Sequence, residues 1–186
     1  MKVTLPLTLS LIIVAFILGL TGGYFFSPAY QSAMYSQQEM GLGQADRFVD
    51  LRYLNQMASH HLGAIALADQ VATTSQRPEI LALSAEIQQN EPKLIAELQQ
   101  WKREWYNDPR SASAPQVAQL GSADDKLDLR FLNALIAHHE AGIAMTKEIR
   151  TKSSRAQVLD NADAVEAFLS GSIVNLKAWR MSWYGV

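Results

Sequence analysis

DLRYLNQMASHHLGAIALA (residues 50–68) and DLRFLNALIAHHEAGIAMT (residues 128–146) are one helix written twice. At an offset of 78 residues, Asp50/Asp128, Leu51/Leu129, Arg52/Arg130, Leu54/Leu132, Asn55/Asn133, Ile65/Ile143 and Ala66/Ala144 are identical. So are the pairs His60-His61 and His138-His139, which are all the histidines of the chain. Without a gap, the same offset lays Trp101, Trp105 and Tyr106 over Trp179, Trp183 and Tyr184, so the repeat spans whole half-domains. Leu51, Leu54, Ala58, His61, Ile65 and Ala68 step by three and four residues, a helix seam. A second stripe runs beside it through Tyr53, Met57, His60, Ala64 and Leu67, so each helix buries a wide face with one histidine on each stripe.

Outward from these seams, four helices are expected near 46–74, 78–106, 123–151 and 154–183. Pro78 suits a first helical turn, and Ser154 with Gln157 spells a capping box. Short turns inside each half imply antiparallel neighbours, and no strand pattern competes. The expected fold is therefore all-α: a duplicated helical hairpin forming an up-down four-helix bundle over 46–184, with half-repeats of about 46–106 and 123–184. Residues 27–45 are small and polar and read as a tether. Before them, Leu5 to Phe26 carries no charge and is long enough to cross a bilayer. Ser27-Pro28-Ala29 is a poor cleavage site, so residues 1–26 read as an uncleaved anchor rather than a signal peptide. Lys2 would keep the N-terminus cytoplasmic and the bundle periplasmic or otherwise extracytoplasmic.

Composition narrows the chemistry. Of the 186 residues 48% are hydrophobic, which supports a true core, and 16 Lys+Arg against 18 Asp+Glu leave no basic footprint for nucleic acid. The absence of cysteine excludes disulfides, thiolate metal sites and thiol nucleophiles. Nucleophile triads and phosphate loops are absent, and no Glu precedes a His by three residues as a di-iron centre needs. The chain reads as a non-enzyme. Buried imidazoles need partners for their nitrogens, and a transition metal is one such partner. His60, His61, His138 and His139, placed mid-helix in both halves, are thus candidate metal ligands. Met57, three and four residues before the first pair, can meet an imidazole on its helix, and thioether with imidazole favours copper, especially Cu(I). Met145, seven residues beyond His138, is either core filling or part of a second site. The rival reading is a structural or partner-binding bundle whose histidines pack without metal.

MASHHLGAIALA, LIAHHEAGIAMT, the preceding Asp-x-x-(Tyr/Phe)-Leu and the terminal Trp-x-x-x-Trp resemble the ferritin-like family known as domain of unknown function 305, over nearly all of 46–184. The resemblance implies an exported, membrane-anchored or periplasmic protein and, as in some members, copper bound through His and Met for tolerance. Carried over by position, it assigns Met57, His60, His61, His138, His139 and Met145, with a metal-delivery partner as a further implication. The second helix departs from the family pattern. Glu91, Leu94, Ile95 and Leu98 stand before Trp101, and Leu169, Ser172, Ile173 and Leu176 before Trp179, leaving Glu91 as a candidate partner for a histidine. Pro92 and Gly171 fall near the histidine level and are expected to kink or loosen their helices. The four tryptophans are expected at one end of the bundle, beside Lys102, Arg103, Lys177 and Arg180, either plugging it against Phe48, Tyr53 and Phe131 or resting on lipid headgroups.

Overall fold

The computed structural model describes residues 41–186, and the anchor expected at 1–26 and most of the tether lie outside the described residues. Among the described residues it contains four α-helices and no strand: α1 Val49–Asp69, α2 Pro78–Tyr106, α3 Leu127–Arg150 and α4 Ala156–Tyr184. No described helix is long and apolar enough to cross a membrane. The four-helix all-α expectation holds, with Pro78 at the first position of α2. The capping box does not form. Arg155 is the N-cap of α4, and the hydroxyl that serves there belongs to Ser153, which accepts from Arg155 N, as Ser75 accepts from Arg77 N before α2. α2 also runs unbroken through Pro92.

The alternating up-down order is corrected by the contacts between halves. Leu42 N donates to Glu148 Oε1, and Lys152 Nζ to Gly43 O, so the start of α1 meets the end of α3. The two central helices are therefore antiparallel, and α3 starts where α1 ends. That geometry demands a crossover the length of the bundle. Residues 107–126 supply it along α1, tied by Ser59 Oγ to Ser113 O, Gln70 Nε2 to Ala118 O, and Leu120 N to Gln70 Oε1. Lys102, fully buried, anchors the start of this strap by donating to Arg110 O at 2.6 Å.

A pseudo-twofold relates the hairpins, and its bonds recur at the repeat offset. Leu120 N to Gln70 matches Leu42 N to Glu148. Arg52 donates to Leu42 O and Gln44 O as Arg130 does to Leu120 O and Ser122 O. Gly43 and Gly121 both take a left-handed φ, 67° and 75°, between these carbonyls, a conformation that glycine adopts without steric cost. The repeat thus reaches back to LGQAD (42–46) over LGSAD (120–124), with Leu42 and Leu120 both buried. At the ends, Arg155 pairs with Asp50 and lies over the Trp105 ring, while Arg77 pairs with Asp128 and lies over Trp183. Each tryptophan pair is stacked, but the two pairs sit at opposite ends of the bundle. The expected single tryptophan cluster is therefore wrong, for the same reason that the up-down order is wrong.

Packing is close within each hairpin and between α1 and α3, whereas α2 and α4 are held apart. The molecule is a central antiparallel pair flanked by two outer helices, with a cleft between the outer two. One core cluster gathers Leu54, Met57, Ile95, Leu98, Met145 and Ile149.

Candidate metal centre

The antiparallel crossing brings the two histidine pairs together at mid-bundle. The His60 and His138 rings stack face to face, centroids 3.8 Å apart and 2° from parallel. His61 and His139 flank them at 6.0 and 6.1 Å from their neighbours in sequence. So tight a stack requires small residues opposite. A Cβ at Gly142 would lie 2.7 Å from His60 Nε2 and 2.6 Å from Leu169 Cδ1, and one at Gly63 would lie 2.9 Å from His138 Cε1. Neither glycine was singled out by sequence reasoning, although each lies within a turn of a histidine pair.

All four imidazoles are buried. Burial, reinforced by the neighbouring imidazoles, drives the His60 pKa well below its ordinary value. His138 is lowered to about 3, mainly by burial and then by His139, and His139 to about 4 by burial. At neutral pH these three rings are neutral, and each has one nitrogen with a lone pair.

One nitrogen of three of the four rings is held by a neighbour. His61 Nδ1 contacts Glu91 Oε2 in a buried pair in which the carboxylate accepts. His138 Nε2 donates to His60 O at 3.1 Å. His139 Nε2 and the Ser172 hydroxyl share a 3.0 Å hydrogen bond. The nitrogens His60 Nδ1, His61 Nε2 and His139 Nδ1 are buried and have no hydrogen-bond partner. An unpaired buried polar atom costs about 1–3 kcal/mol; Asp50 Oδ1, Gln56 Oε1 and Asp128 Oδ1 are also unpaired, but only at the histidine layer do three such atoms belong to groups that ligate transition metals. A ring anchored through one nitrogen by a carboxylate or hydroxyl, with the other nitrogen unpaired, is how imidazole ligands are oriented for a metal. On that chemistry the residues fit a transition-metal ion.

These three histidines and Glu91 line a cleft of about 540 Å³ between α2 and α4. Of the candidate ligands, the four histidines come together, with Glu91 beside His61. Met57 and Met145 do not line the cleft; both are fully buried in the apolar cluster of the core, on one side of the histidine layer. Ser172, a departure from the family pattern, takes in the second half the orienting part that Glu91 takes in the first. Among the described residues, no three His, Asp or Glu side chains converge on a single ion position.

The family model described as Domain of unknown function (DUF305) matches residues 50–127 and 109–180. Among solved structures, the chain is similar to CopM in its Cu(I)-bound form, at 25% identity and a TM-score of 0.66 over 73% of this chain and 97% of that one. It is similar in fold to the Ag-bound form obtained by co-crystallization (24%, TM-score 0.65) and to the Cu(II)-bound form (23%, TM-score 0.62), with the same shares covered. No curated protein matches the chain.

Proposed function

This chain belongs to the family described as Domain of unknown function (DUF305), and from that premise we propose that its bundle is a copper-binding module that sequesters or passes on the metal through its paired histidines. The observation that carries the reading is the set of three unpaired, buried imidazole nitrogens at one cleft, with Glu91 and Ser172 holding the opposite nitrogens of two rings. Likeness to CopM in a Cu(I)-bound form supports copper among the metals that imidazole accepts. The single long crossover is the connection that ferritin-like bundles use. The module is not an enzyme in this reading. It is tethered through residues 27–45 to a transmembrane helix at 1–26, so that it works outside the cytoplasm and exchanges metal with a delivery partner there.

One observation favours the rival reading of a metal-free structural bundle: among the described residues, no three His or carboxylate groups converge on a point. Titration calorimetry of a chain beginning at residue 30 with Cu(I), Cu(II) and Zn(II) separates the two. Copper binding is expected to saturate and to vanish when His60, His61, His138 and His139 are all changed to Ala, circular dichroism confirming that the variant is helical. If the variant loses its helices, His61→Gln with His139→Gln serves instead. Absence of saturable binding, or binding indifferent to both variants, sinks the proposal.

A further inference from the structure

The space between α2 and α4 extends beyond the histidine cleft. A second cavity, of about 620 Å³, follows it toward the other end of the same two helices, and Phe168 lines both. Together they form a groove from Glu79 to Trp101 on the α2 side, about 33 Å at 1.5 Å per residue. Its mouth carries two large apolar side chains facing solvent, Leu94 at 39% and Phe168 at 57% exposure. Its α4 wall is stepped with Ala164, Ala167 and Gly171, and a Cβ on Gly171 would meet nothing within 4 Å, so another backbone can approach closely.

Charge on the walls is one-sided. Glu79, Glu86, Glu91, Glu97 and Asp160 line the two cavities, and no lysine or arginine does, in a chain whose total charge is only -2. An apolar floor between acidic rims matches one kind of occupant. We propose that the α2–α4 groove is a docking site for an amphipathic helix of net positive charge, about 20 residues long, from a partner protein. The partner's apolar stripe would seat on Leu94 and Phe168, and its lysines or arginines would face Glu86, Glu97 and Asp160, a helix-in-groove mode. The acidic rims disfavour both an anionic lipid surface and a second copy of the same groove, because each sets like charge against like. The groove shares the histidine cleft, but the docking reading rests on the exposed Leu94 and Phe168 and on the exposed carboxylates Glu79, Glu86, Glu97 and Asp160, not on a bound metal.

The test uses the full chain in phosphatidylcholine nanodiscs, with empty discs as the blank. The probe is a fluorescein-labelled 21-residue Leu/Lys peptide with leucines at helical i, i+3, i+4, i+7 spacing, read by anisotropy. Saturable binding is expected, lost with a peptide of the same composition in scrambled order and with the Glu-for-Lys peptide. Phe168→Asp should weaken binding about tenfold or more, and Glu97→Lys with Asp160→Lys should weaken it severalfold and flatten its salt dependence. Phe168 is exposed, so its variant is not expected to disturb the core. Equal binding of the scrambled or acidic peptide, or indifference to Phe168→Asp, overturns the proposal. So does a Phe168→Asp effect confined to binding of anionic vesicles, or to dissociation of a dimer in sedimentation.

Discussion

Metal-free protein should lose stability steeply on mild acidification, because the folded bundle refuses protons that the unfolded chain accepts. An unfolded histidine titrates near 6.5. In the fold His139 is held to about 4, His138 to about 3, and His60 well below its ordinary value, all first by burial. A lowered folded pKa means that the stability contributed is full above about pH 6.5 and is lost as pH falls toward the folded values. Each such histidine contributes about 1.4 kcal/mol per pH unit once its unfolded counterpart is protonated. From about pH 6 to about pH 5 the unfolded imidazoles pass from roughly three-quarters to nearly fully charged, so His138 and His139 alone cost the fold about 2–3 kcal/mol in that one unit, and His60 acts in the same direction. Against a typical total of about 5–15 kcal/mol, that is a substantial share of the stability of the bundle. The carboxylates Asp46, Asp108, Asp124 and Glu166, all with lowered pKa from their arginine or backbone partners, lose their contribution as pH falls through and below the ordinary carboxylate range, mostly beneath this window. Urea unfolding followed by circular dichroism at both pH values, with a chelator present, measures the slope. His139→Leu should reduce it by about 1.4 kcal/mol per unit. A loss of about 1 kcal/mol or less between the two pH values would refute the reasoning, since it would mean that the rings are protonated as readily inside the bundle as outside.

Three further outcomes follow from single contacts. Gly142→Ala should destabilise by about 1–3 kcal/mol through its collision with His60 and Leu169, whereas Gly171→Ala, with open space around it, should stabilise by about 0.5–1 kcal/mol; thermal melts of the two variants should move in opposite directions. Glu91→Gln should lower copper affinity about 10–100-fold in competition with a chelator, because His61 loses the carboxylate that fixes its tautomer; unchanged affinity would remove His61 from the site. Tyr53→Phe removes the 2.7 Å bond to Asn161 Oδ1 and should cost about 1 kcal/mol in urea unfolding.

Helix number, helix type and the place of the histidines could be read from periodicity, because the seams at 50–68 and 128–146 are long and strongly patterned. Topology could not. A turn such as 70–77 implies an antiparallel neighbour, but residues 107–126 are as compatible with a wandering loop as with a strap along α1, and only the strap reverses the second hairpin. The signal was nonetheless present: LGQAD and LGSAD repeat at the offset of the helices, and a repeat that includes the chain entering the helix implies equivalent surroundings for Leu42 and Leu120. Partners of the histidines were half legible. Glu91 stands out as a carboxylate between Ile87 and Ile95 on the buried stripe of α2. A serine on a helix carries no such mark, and Ser172 is recognised only once His139 is placed opposite it.

Reversal of the second hairpin is also what gives the duplication its chemistry. In a parallel arrangement, equivalent histidines would still share a level, but each would face a different neighbourhood along its partner helix. A twofold axis between antiparallel α1 and α3 sets His60 against His138 and carries Gly63 to His138 and Gly142 to His60, so the two glycines that a Cβ would crowd both face the histidine stack. Close to that axis, exact repetition is costly: two copies of Glu91 would put two buried carboxylates beside one histidine layer. The second copy instead has Leu169 at the equivalent position, and its Cδ1 comes closest to where a Cβ on Gly142 would lie, leaving the hydroxyl of Ser172 to orient His139. A single buried carboxylate compensates one cationic ligand site better than two would, since an unmatched buried charge is expensive. On the proposed copper reading, the loss of symmetry between Glu91 and Leu169 leaves one buried carboxylate beside a histidine layer shared between the two halves.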